Sequence, residues 1–262
     1  MVPRFFDIHS HINDKKFDGD IVDVVKQMVD ENVWTIAVGT DRRSSQLAAQ
    51  ISYFYSGVFS AIGIHPTDNP AEHFNEPYFE ELAGCPKVVA VGECGLDYFR
   101  AKDESAEEKK RQKDLFEEQL EFAIKINKPL MIHCRNAHAD MLDILASKKN
   151  EHGDKLRGNI HFFSEGKETA KKYFDLGFSI SFTGVLTFTN DYDEVVKYAP
   201  LEGIMSETDS PYVSPVPYRG ERNEPRYVKE VVKRIAQIRG EDYEKIEKAM
   251  VDNAFRVFNI NK

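Results

Sequence analysis

RFFDIHSHIND, residues 4–14, decides how this chain reads: a short apolar run, Arg4–Ile8, leads straight into two imidazoles, His9 and His11, with Ser10 between them. In a β-strand, residues two apart point to one side. The spacing therefore aims both imidazoles at a single point, which is a chelating arrangement. A lone His-x-His arises by chance about as readily, so its weight rests on what the rest of the chain places beside it.

The same pattern recurs. Apolar runs rich in Val, Ile and Phe stand at Arg4–Ile8, Trp34–Gly39, Val58–Ile64, Val88–Gly92, Leu130–His133, Asn159–Phe162, Phe178–Phe182 and Gly203–Met205. Near-continuous apolar runs mark strands buried on both faces, as in parallel sheets. Amphipathic stretches separate them. The clearest is Ser105–Asn127, with Phe116, Leu120, Ala123 and Ile124 on one helical face, a capping box at Ser105–Glu108 and an exit at Pro129. This alternation predicts an α/β fold, a (β/α)8 TIM barrel forming one domain over residues 1–262. An open doubly wound sheet is the alternative, but no GxGxxG follows the first run, which argues against its dinucleotide-binding form. The Pro-rich SPYVSPVPYRGERNEP (210–225) reads as a long ordered loop. No linker, repeat or low-complexity tract breaks the chain.

Lys and Arg number 35 against 44 Asp and Glu, a net charge of −9, so global charge gives no argument for nucleic-acid binding. A polyanion would need a local cationic site. Three cysteines without a CxxC pair suit a reducing compartment. No apolar run approaches the roughly 18 residues of a membrane span, and histidines begin too early for a cleavable leader. The expected location is cytoplasmic, with no membrane contact and no obligate protein partner.

Polar residues cluster where the apolar runs end: His9 and His11, His65, Glu93 and Asp97, His133 and Arg135, His161, then Glu207 and Asp209. In a barrel those ends converge on one face, where active sites form. Taken singly, His133 reads as a satisfied core histidine, Glu93 as an ion-pair partner and Asp209 as a turn residue; their shared position joins them. His9, His11, Glu93, His133, His161 and Asp209 are too many ligands for one tetrahedral zinc. They suit two divalent ions sharing a carboxylate, with Glu93 the bridge, an arrangement that activates water and clamps a phosphoryl group. His73, His138 and His152 read as surface residues, and Cys94 and Cys134 as packing residues.

These stretches resemble the TatD family of metal-dependent deoxyribonucleases. The resemblance runs in the family's order through DIHSHIND (7–14), GIHP (63–66), GECGLDY (92–98), the long segment 112–135 ending MIHCR, SFTGVLTF (181–188), ETDSPY (207–212) and RGERNEP (219–225). It implies a TIM-barrel hydrolase cleaving DNA phosphodiesters as a 3′→5′ exonuclease, at single strands or 3′ ends. It implies two divalent ions (Mg²⁺, Mn²⁺ or Zn²⁺): His9, His11, Glu93 and Asp209 on one, Glu93, His133 and His161 on the other. Asp209 and Glu207 match the family's acidic pair, with Asp209 at the attacking water; His65 matches a histidine near the scissile phosphate. Ligand softness favours Zn²⁺, Mn²⁺ or Ni²⁺ over Mg²⁺.

Arg135, Arg219, Arg222 and Asp97 are expected at the substrate, although Arg219 and Arg222 read equally well as solvated arginines. Packing is the expected role of Tyr98 and Tyr212. The family's His-Cys-Phe-Ser-Gly is here His161-Phe-Phe-Ser-Glu165, which places a bulky anion where a phosphate would approach; Gly166 is expected to take over the turn. Two other functions stay open: hydrolysis of a small amide, lactone or phosphoester on the same site, and metal or nucleic-acid binding with catalysis weakened by Glu165. Glu93 stands where many such small-molecule hydrolases carry a modified Lys, which favours the nuclease.

Overall fold

In the computed structural model, which describes residues 2–101 and 105–261, each of the eight runs becomes a parallel strand bonded to the next in chain order. The strands are β1 (Phe5–Ser10), β2 (Val33–Val38), β3 (Val58–Ile62), β4 (Val88–Asp97), β5 (Leu130–Arg135), β6 (Gly158–Ile160), β7 (Ser179–Phe182) and β8 (Ile204–Ser206). A parallel bridge between Ser10 and Ser210 returns the end of the sheet to β1. Beside it, His11 N–H donates to Ser210 O (2.7 Å) and Asp209 N–H to His9 O (2.9 Å). The order is that of a TIM barrel, and the open sheet is excluded.

The helices are α1 (Ile21–Asp30), α2 (Arg42–Phe54), α3 (Glu76–Ala83), α4 (Ala106–Lys125), α5 (His138–His152), α6 (Lys167–Asp175), α7 (Asp193–Tyr198), α8 (Val228–Arg239) and α9 (Tyr243–Val257). Ser105 caps α4, accepting from Glu108 N–H. α4 also buries two amides. Gln119 bonds both the N–H (2.7 Å) and the carbonyl (3.0 Å) of Ile64, and Gln112 does the same for Asp97 at 2.8 and 3.1 Å. These bonds satisfy backbone groups at the ends of β3 and β4, beside His65 and Asp97. Among the described residues no helix is long and apolar enough to cross a membrane.

Two apolar layers result. One lies between the outward strand residues and the surrounding helices. The other fills the barrel with Phe6, Ile8, Ile36, Val38, Ala61, Met131 and Met205, and is capped by Ala254, Phe255 and Phe258 at the end of α9. Phe255 meets Phe6 and Trp34 edge-on with centroids 5.9 and 5.8 Å apart. α9 thus stoppers the end of the barrel remote from the strand C-termini.

Bulges near the mouth depart from simple alternation, and a further shift sets Val88 opposite Ser60 but Ala90 opposite Ala61. In β1, Asp7 pairs Thr35 but Ser10 pairs Ala37, and in β4, Val91 pairs Leu130 but Cys94 pairs Ile132; each strand carries one extra residue. The first bulge lets the consecutive residues Ile8 and His9 both face inward, while Asp7 turns out to Thr35 and Thr208. The second brings Glu93 to the mouth and carries β4 five residues beyond the expected Gly92. There β4 crowds β5. A Cβ on Gly92 (φ 151°) would lie 2.4 Å from Met131 O, and one on Gly95 (φ 141°) 2.0 Å from His133 O.

Candidate metal centre

Glu93 stands at the middle of the barrel mouth. Its Oε2 lies 3.4 Å from His9 Nε2 and 3.5 Å from His11 Nε2. Its Oε1 lies 3.0 Å from His133 Nδ1, 3.0 Å from His161 Nε2 and 3.6 Å from His65 Nε2. Asp209 Oδ1 joins the first side, 3.4 Å from His11 Nε2 and 3.8 Å from His9 Nε2, and those two nitrogens are 3.2 Å apart. On the second side His133 Nδ1 and His161 Nε2 are 3.3 Å apart. Ligands about 2.1 Å from one divalent ion sit about 3.0 Å apart at right angles and about 3.4 Å apart at the tetrahedral angle. Both donor groups have that spacing. Neutral imidazoles and carboxylates are ligands that zinc and manganese accept, so the residues fit a divalent ion on either side of Glu93.

A second layer of carboxylates and carbonyls sets the rings. Asp97 Oδ2 is 3.0 Å from His133 Nε2, while Asp97 Oδ1 accepts from Phe99 N–H (2.9 Å) and Arg100 N–H (2.8 Å). His11 Nδ1 meets Val38 O at 3.1 Å, which Asn13 also bonds at 3.1 Å. His65 Nδ1 is 3.0 Å from Asp68. Glu207 Oε1 accepts Phe162 N–H (2.6 Å) and lies 3.4 Å from His161 Nδ1, and its Oε2 accepts from Ser181 (2.7 Å). Such partners fix ring orientation and raise ligand basicity. Two backbones are left-handed here, Phe162 at φ 47° and Asp209 at φ 55°.

Electrostatics match a site built for cations. Burial alone would raise Glu93, but the imidazoles of His161, His65 and His133 outweigh it and hold the carboxyl well below its usual range. Asp209 is lowered against burial in the same way, mainly by His11. Burial works against a charge on His11, yet Asp209 and Glu93 push it up to about 9. Burial pushes the Cys94 thiol up and Cys134 to about 12, so both stay protonated, as packing residues rather than thiolate ligands.

Several expectations need correction. Asp97 and Glu207 were expected at the substrate and at the chemistry. Neither lines the cavity at the mouth; Asp97 stands behind His133 and Glu207 behind His161. Arg222 is held by Asp20 at 2.8 and 2.6 Å and by Glu224 at 3.2 Å, which makes it a loop tie. Glu165 turns toward His138 Nε2, 3.9 Å away, and Gly166 has an ordinary φ of −78° with open space at its Cβ, so neither obstructs the mouth. His138 is largely buried, its Nδ1 2.8 Å from Tyr173 Oη. Tyr212 is 44% exposed and lines the mouth instead of packing, whereas Tyr98 does pack, donating to Asp140 at 2.6 Å.

The mouth opens into a cavity of about 680 Å³ lined by His11, Glu93, His133, His161 and Asp209, with His65, Arg135, Arg100, Phe162, Tyr192 and Tyr212 around them. Arg135 stacks on Phe99 at 3.8 Å, and Arg219 on Phe188 at 4.0 Å. Arg100, Phe162 and Tyr192 were missed from sequence; Arg100 carried a signal, three residues after Asp97 in the same loop.

The family model described as TatD related DNase matches residues 6–259. The chain belongs to this family. Similar proteins include the uncharacterized metal-dependent hydrolase YabD of Bacillus subtilis, 37% identical over 98% of this chain and 99% of that one. The uncharacterized metal-dependent hydrolase YcfH of Escherichia coli is 34% identical over 97% and 96%. The protein named 3'-5' ssDNA/RNA exonuclease TatD of Shigella flexneri is 34% identical over 90% and 92%. Among solved structures, the TatD homolog YjjV of Escherichia coli superposes with a TM-score of 0.89 at 25% identity, covering 100% of both chains. The chain is a metal-dependent hydrolase of the TatD family.

Proposed function

We propose that the protein is a deoxyribonuclease that removes nucleotides from the 3′ end of single-stranded DNA with divalent metal, for which Glu93 would serve two ions. The carrying observation is the division of Glu93's oxygens, Oε2 toward His9 and His11, Oε1 toward His133 and His161. The exonuclease relative supports the choice of substrate. The ions, when bound, supply Lewis acidity and lower the pKa of water from 15.7 toward about 7.

The chain's own residues do the rest. Asp209, whose side chain is 16% exposed against 5% for Glu93, is the carboxylate water can reach, and it takes the attacking proton. The water oxygen bonds to phosphorus as the P–O3′ bond breaks, and the proton taken by Asp209 passes on to O3′, releasing a 5′-mononucleotide and leaving a 3′-hydroxyl. His65 and Arg135 both line the cavity, and on this reading His65 meets the scissile phosphate and Arg135 a flanking one. The three free cysteines accord with a cytoplasmic setting.

The test strips the protein with chelator, restores Mn²⁺, Zn²⁺ or Mg²⁺ singly, and follows mononucleotide release from single-stranded DNA beside metal content. Two ions per chain with release, both lost in Glu93→Gln, is the expected result. No release with any metal overturns the reading.

A further inference from the structure

Three exposed aromatic rings at the barrel mouth each lie under a cation: Phe99 under Arg135 at 3.8 Å, Phe188 under Arg219 at 4.0 Å, and Tyr212 under Lys16 at 4.5 Å. The rings are 59%, 44% and 44% exposed. They come from three different loops, after β4, β7 and β8. Among the described residues none of these cations has a carboxylate within ion-pairing distance, in contrast to Arg222. Exposed rings also stand at the other end of the barrel, Tyr53 and Phe54 at the close of α2, and among the described residues no cation covers them.

A ring and a cation side by side on a concave rim match one nucleotide of an unpaired strand. The ring offers a face to a base, the cation an edge to a phosphate, and every base has a π-face. A duplex keeps its bases stacked on each other and offers the rings nothing. The local cations also resolve the conflict between a −9 chain and a polyanion.

We propose that Phe99/Arg135, Phe188/Arg219 and Tyr212/Lys16 are three binding stations for unstacked nucleotides beyond the one being cleaved. The proposal rests on the nuclease reading of the centre. It assigns to the rim the dependence of affinity on strand length.

The test compares oligothymidylates of two, four and eight residues as substrates with Mn²⁺. KM falls with length in the wild type. Phe99→Ala, Phe188→Ala and Tyr212→Ala each raise KM for the octamer about tenfold and flatten the length dependence, while Tyr53→Ala does neither. A second readout is Phe99→Trp, which keeps the stacking face: its fluorescence is quenched by the octamer but not by the octamer annealed to its complement. Unchanged octamer KM in the three alanine variants overturns the stations, as does equal quenching by duplex. If the wild type hydrolyses no DNA, the nuclease reading fails; quenching by the single strand then upholds the rim as a binding surface, and its absence removes both.

Discussion

Asp97 Oδ2 lies 3.0 Å from His133 Nε2, on the ring edge opposite the nitrogen that faces Glu93. The contact turns a residue two positions past the last glycine of β4 into the support of a ligand on β5. Asp97→Asn keeps an acceptor for the Phe99 and Arg100 N–H groups but removes the charge behind His133. Metal affinity falls about 10- to 100-fold in a chelator competition, while the urea midpoint of the metal-free protein barely moves. An unchanged affinity would mean that Asp97 does not act through His133.

Glu207 Oε1 lies 3.4 Å from His161 Nδ1, and it stabilises Phe162, whose φ of 47° is costly for a bulky residue. Glu207→Ala leaves the Phe162 N–H and the Ser181 hydroxyl buried without this acceptor. The loss is about 2–4 kcal/mol, read from denaturant unfolding of the metal-free protein. Glu207→Gln recovers most of it, because the amide oxygen still accepts one bond.

Two glycines separate close approach from mere turn-making. Gly95→Ala places a methyl 2.0 Å from His133 O at a φ that L residues avoid, and the variant fails to accumulate as folded protein. Gly166→Ala, with nothing within 4 Å, changes the thermal midpoint by no more than about 2 °C. Equal behaviour of the pair would contradict the crowding of β4 on β5.

Burial lowers His138 to about 4, with charge on His133 adding to the effect. Above the ordinary pKa of 6.5, folded and unfolded chains both carry it neutral, and its contribution is full. As pH falls from 6.5 toward 4, the unfolded chain takes up a proton that the folded one refuses, so stability is lost across that window. The loss is at most on the order of 3 kcal/mol. His138→Gln, which can still bond Tyr173, flattens the wild-type slope in urea titrations between these pH values; an unaltered slope would assign it to other groups.

The barrel was legible in the eight apolar runs because a strand covered on both faces leaves a compositional mark. The donor set was legible because each ligand stands where such a run gives out. The bulges were not, since an inserted residue leaves the apolar pattern of Val88–Val91 untouched, and so β4 was ended at Gly92. Nor could the sequence separate Asp97 and Glu207 from the groups that reach a ligand: a carboxylate near a strand end looks the same whether it faces the cavity or the back of a histidine. Arg222 fails for a related reason. Its partner Asp20 is about two hundred positions away, and only tertiary structure pairs them.

The stopper formed by α9 has a bearing on how the protein is born. His9 is synthesised about two hundred residues before Asp209, and earlier still than the seal around Phe255 and Phe258. Pairing of β1 with the segment after β8 joins Ser10 to Ser210, and closures of such long range come late. A nascent chain therefore carries His9 and His11 unprotected until Asp209 has been made, and any cation held between them would have to wait for that closure.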